Sequence, residues 1–137
     1  MLQPIKNNQV IKQYDLEIGK IVFYKNYLII EVAEGICFDY EKAKQISRLT
    51  DLHYKNHSFG YISNRVNSYS LEPIDYMRIK NIFPNMIAFA AVIYNKSQKA
   101  SIRIENMFYQ DGIASFESLE EAVKWIVLQL ENKSKLF

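Results

Sequence analysis

Residues 86–94 read MIAFAAVIY: nine apolar or aromatic side chains in succession, with Pro84 before them and Asn95 after. A run with no polar alternation predicts a strand buried on both faces, in the middle of a sheet covered by helices. Side chains alternate across a strand. Ala90 and Val92 are therefore expected on one face of the sheet, and Phe89, Ala91 and Ile93 on the other.

Downstream of this strand, Ser97 is placed to cap a helix in which Ala100, Ile104, Met107 and Phe108 follow helical spacing. Residues 112–116 predict a short last strand. The closing helix opens with Ser118 and Glu121, the two positions of a capping box, and carries Leu119, Ala122, Val123, Ile126 and Leu130 along one face. Upstream, residues 10–33 read as two strands with a tight turn at Lys25-Asn26. Asp39 then caps an amphipathic helix of about 16 residues by its periodicity, with Ala43, Ile46, Thr50 and Tyr54 on one side. Residues 59–63 (FGYIS) predict a third strand, and residues 71–82 a short helix entered through Ser70 with Pro73 in its first turn.

The order is β-β-α-β-α-β-α-β-α, which implies an α/β fold: a mixed, mainly parallel sheet with an N-terminal antiparallel hairpin and about four helices. Four Gly and three Pro in 137 residues leave no internal linker, so one domain is expected over residues 10–132. Residues 1–9 are expected to form a flexible arm and residues 133–137 a tail.

Composition narrows the function classes. The chain is 49% hydrophobic, and its 17 basic and 15 acidic residues give a net charge of +2, which offers no electrostatic case for a nucleic-acid partner. At this length a core forms without disulfide or metal. The single Cys37 excludes a disulfide scaffold and multi-cysteine metal sites. No run approaches a membrane span, and the first 30 residues lack the order of a signal peptide; the expected location is the cytoplasm.

Motifs for chemistry are sparse. His53 and His57 are four apart but lack the Glu and the third ligand of a zinc helix, so they read as surface or helix-end residues. Cys37, between Ile36 and Phe38, reads as a small buried hydrophobe. Glu120 and Glu121, like Asp39 and Glu41, stand at helix starts, where the helix dipole accounts for them. Nucleophile elbows, phosphate loops and dinucleotide fingerprints do not occur, so no catalytic residue, cofactor or metal is expected. The ten Tyr, eight Phe and one Trp fall mostly within strand and helix patterns and read as core.

One polar cluster stands out. Asn64, Arg65, Asn67, Ser68 and Ser70 follow the third strand, and Asn95, Lys96 and Ser97 follow the buried one. A parallel sheet brings two such loops to its carboxyl edge, where ligands gather and where helix N-termini favour anions. Its plainer reading is that Ser70 and Ser97 only cap helices.

The order of elements, and above all the ending IAFAAVIYN, SQKASIRIENMF, GIASF and ESLEEAVKWIVLQL, resembles the STAS domain, in particular its SpoIIAA-like, STAS/SEC14-type small proteins. The resemblance extends by topology over about residues 10 to 131. It implies a non-catalytic regulatory module that contacts a protein partner, such as an anti-sigma factor or a kinase, through the Ser68–Ser70 and Ser97 edge. The SEC14-type branch implies instead a domain for a small apolar or lipid-like ligand; a sizeable apolar pocket would favour that reading and a filled core the first. Signalling members carry a phosphorylatable serine or threonine in an Asp-Ser-Ser-Gly-like turn. Here residues 64–71 read NRVNSYSL, with serines in that neighbourhood but without that sequence.

On the last helix, Trp125 and Leu128 fall outside the core stripe. Together they form a second apolar strip, which predicts a homodimer contact, or else a strip over which the N-terminal arm or the C-terminal tail folds back.

Overall fold

The computed structural model describes residues 9–135. The elements are β1 (Val10–Leu16), β2 (Gly19–Tyr24), β3 (Tyr27–Val32), β4 (Cys37–Phe38), α1 (Tyr40–Tyr54), β5 (Phe59–Asn64) and β6 (Ser70–Leu71). A 3-10 helix (Pro73–Arg78) then runs into α2 (Ile79–Ile82), followed by β7 (Met86–Val92), α3 (Lys96–Glu105), β8 (Ala114–Phe116) and α4 (Leu119–Lys135). Six strands form one sheet in the order β1-β2-β3-β5-β7-β8. The β1, β2 and β3 strands are antiparallel neighbours, and β3, β5, β7 and β8 run parallel.

The central strand behaves as its sequence requires. Phe89, Ala91 and Ile93 belong to the core on one face, with Ala43, Ile46 and Tyr54 of α1, Ile79 of α2 and Ile102 of α3. Ala88, Ala90 and Val92 belong to the core on the other, under Ala122, Val123 and Ile126 of α4. At Gly60 the approach of α4 is so close that a Cβ would lie 2.5 Å from an Ile126 methyl.

Asp39 caps α1 by accepting from the Lys42 N–H at 3.0 Å, and Ser118 accepts from the Glu121 N–H at the start of α4. Several local expectations are corrected. Residues 10–33 form three strands, because a turn at Glu17-Ile18 separates β1 from β2; buried Ile18 sits inside that turn. Gly19, at φ 145°, is in a conformation that favours glycine. Ser70 does not cap the next helix. It pairs with Cys37 in a small parallel ladder, and Pro73 holds Glu72 extended as the residue before the 3-10 helix. Asn95, not Ser97, caps α3 by accepting from the Gln98 N–H at 2.9 Å.

The face of α3 also differs from its apolar spacing. Ile102 and Glu105 are buried, whereas Ile104 and Met107 are 50% and 79% exposed. Cys37 is exposed because Ile36 and Phe38, its neighbours, are the residues that pack on the core. At the C-terminus α4 continues to Lys135, so residues 133–135 are helix rather than tail. The remainder of the expected tail, and residues 1–8 of the expected arm, lie outside the described residues.

Candidate functional site

The loops after β5 and β7 meet at the carboxyl edge of the parallel strands, over a buried polar network. Arg65 is 5% and Glu105 0% exposed in their side chains. The guanidinium donates twice to the carboxylate, Nη1 to Oε2 at 2.7 Å and Nη2 to Oε1 at 2.8 Å, and its Nε donates to the Ser63 hydroxyl at 3.1 Å. Two further donors complete the carboxylate: the Tyr76 hydroxyl at 2.6 Å and the Ser101 hydroxyl at 2.7 Å. Burial pushes the Glu105 pKa up, but the hydrogen bonds and charge of Arg65, with the two hydroxyls, outweigh it and hold the group below its ordinary value. Burial pushes the Tyr76 phenol well up, reinforced by the charge of Glu105. The pair therefore stays ionised and the phenol neutral around neutral pH.

This network fastens both loops. Gln98, in the first turns of α3, accepts from the Tyr94 N–H at 2.6 Å and donates to the Arg65 carbonyl at 2.8 Å, bridging the loop after β7 to the loop after β5. The Tyr94 hydroxyl donates to Asn64, which in turn donates to Glu31 at the end of β3. Asn67 donates to the Val32 carbonyl, and Glu34 accepts from the Ser68 N–H.

The residues singled out in the sequence separate into two groups. Asn64 and Arg65 are buried and fully engaged inside, so they support the edge rather than face a partner. Ser68, Ser70, Asn95, Lys96 and Ser97 are exposed on it. Val66 and Tyr94, not expected from the sequence, are exposed beside them at 48% and 51%. Glu105 and Gln98 carry little sequence signal for this role beyond the i, i+4 spacing of Ser101 and Glu105. The N-terminus of α3 lies at this edge, and the 3-10 helix begins next to an acidic residue, Glu72.

Beneath the edge, between the sheet, α1 and the 3-10 helix, lies a cavity of about 40 Å³ whose wall includes Tyr61, Ser63, Arg65, Tyr69, Tyr76 and Phe89. Of the other marked residues, His53 Nε2 and the Tyr14 hydroxyl share a hydrogen bond of 2.7 Å, and α1 ends at Tyr54, before His57. Among the described residues no group of three or more His, Cys, Asp or Glu side chains is placed to hold a metal. No helix among them is long and apolar enough to cross a membrane. On α4, Trp125 packs against the Phe116 ring at 5.6 Å between centroids, and Leu128 is 50% exposed.

No family model matches the chain, and no curated protein matches it. A solved structure does: an uncharacterized protein from the DUF3478 family with a SpoIIAA-like fold, from Shewanella loihica PV-4. The likeness covers 84% of this chain and 90% of that one, with a TM-score of 0.52 at 14% identity. The fold is SpoIIAA-like. In this SpoIIAA-like frame the hairpin that leads into the sheet, the four parallel strands and the α4 helix on one face hold the β5 and β7 loops together at one edge.

Proposed function

We propose that this SpoIIAA-like domain is a non-catalytic regulatory module of the cytoplasm that binds a protein partner through the loops after β5 and β7. The observation that carries this reading is the pairing of a fastened base with an open top. The Arg65–Glu105 pair and the Gln98 bridge fix the loops from below, while Val66 and Tyr94 remain exposed among Ser68, Ser70, Asn95, Lys96 and Ser97. A surface ordered before binding loses less entropy on association, and an exposed Tyr among small polar residues has the composition of an interface centre.

The resemblance to anti-sigma-factor antagonists makes an anti-sigma factor or a kinase the class of partner. Ser97 stands in the first turn of α3, where a phosphate would gain from the helix dipole and free N–H groups, so its modification would alter the edge without melting the helix. For the lipid-like alternative the cavity under the edge, about 40 Å³, is far below the roughly 300–1,000 Å³ of ordinary ligand pockets, whereas a half-open hollow of about 420 Å³ lined by Tyr76, Met77, Lys80, Met107, Tyr109 and Asp111 lies within that range and supports it as the second reading.

A photo-activated cross-linking residue in place of Ser97 tests the reading in living cells, with a second at Leu52, which is 61% exposed on α1, as control. A discrete protein adduct formed from position 97 and not from 52 supports it. Identical adduct patterns from both positions overturn it.

A further inference from the structure

The apolar spacing of α3 finds no use in the core. Ile102 and Glu105 face inward, and Ile104 and Met107 are left outside. The 3-10 helix does the same with Ile74 and Met77, which are three residues apart and so lie on one side of its three-residue turn. Met107 and Met77 are the two most exposed large apolar side chains among the described residues. Both stand on the wall of the half-open hollow of about 420 Å³, together with the Tyr76 and Tyr109 rings. A lone exposed methionine needs no explanation, but apolar side chains gathered from two helices around one recess mark a contact. Methionine is flexible and polarisable, and it adapts to whatever side chain is pressed against it.

Charge indicates what covers them. Lys96, Lys99 and Arg103 follow one another at i, i+3 and i+7, which puts them on one side of α3. All three are exposed, and none joins an ion pair among the described residues. On the wall of the hollow itself, Lys80 and Asp111 hold each other at 2.9 Å and neutralise one another. The uncompensated charge of α3 is therefore positive, beside an apolar recess. A basic partner would be repelled, and a purely apolar one would leave the cationic column unanswered. A flat lipid surface does not reach into a recess. A helix with apolar side chains every three or four residues along one side, and carboxylates beside them, matches both features.

We infer that the recess between the 3-10 helix and α3 docks an acidic amphipathic helix of a protein partner, its apolar side chains between Met77 and Met107 and its carboxylates toward Lys99 and Arg103. The inference goes beyond the contact through the loops after β5 and β7 and does not rest on it. It gives to a helix the hollow that the second reading gives to a lipid-like ligand.

The test is selection from a displayed library of short helical peptides on the intact protein, with the affinity of the enriched peptides measured by fluorescence anisotropy. Enriched peptides should carry a net negative charge and one apolar face, and added salt should weaken them. Met77→Gln with Met107→Gln should weaken their binding at least about tenfold, and Lys99→Glu with Arg103→Glu about tenfold. Both pairs are exposed, so the fold should survive; Met107→Gln alone, with a smaller loss, serves if the double variant unfolds. Enriched peptides that are basic or uncharged, binding indifferent to the methionine substitutions, or no enrichment at all would overturn the inference. Saturable amide shifts at Met77 and Met107 with decanoate, and none with the enriched peptides, would overturn it in favour of a small ligand. Binding to vesicles of anionic lipid without any enriched peptide would overturn it in favour of a membrane surface.

Discussion

Replacing Glu105 with Gln changes few atoms and removes one buried charge. In the native protein the carboxylate accepts four hydrogen bonds, two from Arg65, one from Tyr76 and one from Ser101. A Gln amide keeps one accepting oxygen. Whichever way it is turned, its NH2 group confronts two donors: Arg65 Nη2 and Tyr76 on one side, or Arg65 Nη1 and Ser101 on the other. The guanidinium is left buried without a counter-ion. Breaking one partner of a buried pair costs about 3–5 kcal/mol, a large part of the roughly 5–15 kcal/mol that stabilises a domain. Urea unfolding followed by circular dichroism should show the midpoint fall by about 2 M at an unchanged slope. Replacing both partners, Arg65→Met with Glu105→Leu, should restore much of the loss, because no charge then remains unpaired; the hydroxyls of Tyr76 and Ser101 still lose their acceptor. A loss below about 1 kcal/mol for Glu105→Gln would refute the view that this pair fastens the edge.

Three further outcomes follow from other parts of the molecule. Because the folded-state pKa of Glu105 is depressed, its stabilisation is present above the ordinary carboxyl value of 4.5 and is lost as pH falls below it; thermal midpoints should therefore drop in that range, and less steeply in Glu105→Gln. Gly60→Ala places a Cβ against Ile126 and should cost about 1–3 kcal/mol in urea unfolding, and the double variant with Ile126→Ala should lose less than the sum of the two single losses; full stability of the single variant would contradict the close approach of α4. If the α4 strip forms a homodimer, Trp125→Ala with Leu128→Ser should give a folded monomer in light scattering, and a native chain that is monomeric at high concentration would assign Trp125 simply to its contact with Phe116.

What could be read from the sequence was local in origin. The central strand needed only its own unbroken run, α1 only Asp39 and a regular apolar face, and α4 only Ser118 and its stripe. The misread features depend on groups distant in the chain. Apolar spacing in α3 points to Ile104 and Met107, yet the helix turns Glu105 inward because Arg65, forty residues earlier, waits in the interior for a carboxylate. Nothing near Glu105 announces that partner. The turn before β2 is hidden by an apolar Ile18, whose burial looks like a strand position. Ser97 and Asn95 are both competent caps two positions apart, and the bridge from Gln98 to Tyr94 and Arg65 accompanies the choice of Asn95. The candidate loops were legible; which of their side chains face inward was not, because that depends on the network below them.

If the loops after β5 and β7 are the contact surface, amide chemical-shift mapping of the labelled protein against the partner captured by cross-linking will show it. Perturbations concentrated at residues 64–70 and 94–98, with α4 and β1 unmoved, are the predicted result. Perturbations centred on α4 or on β1, with those loops unchanged, would contradict it.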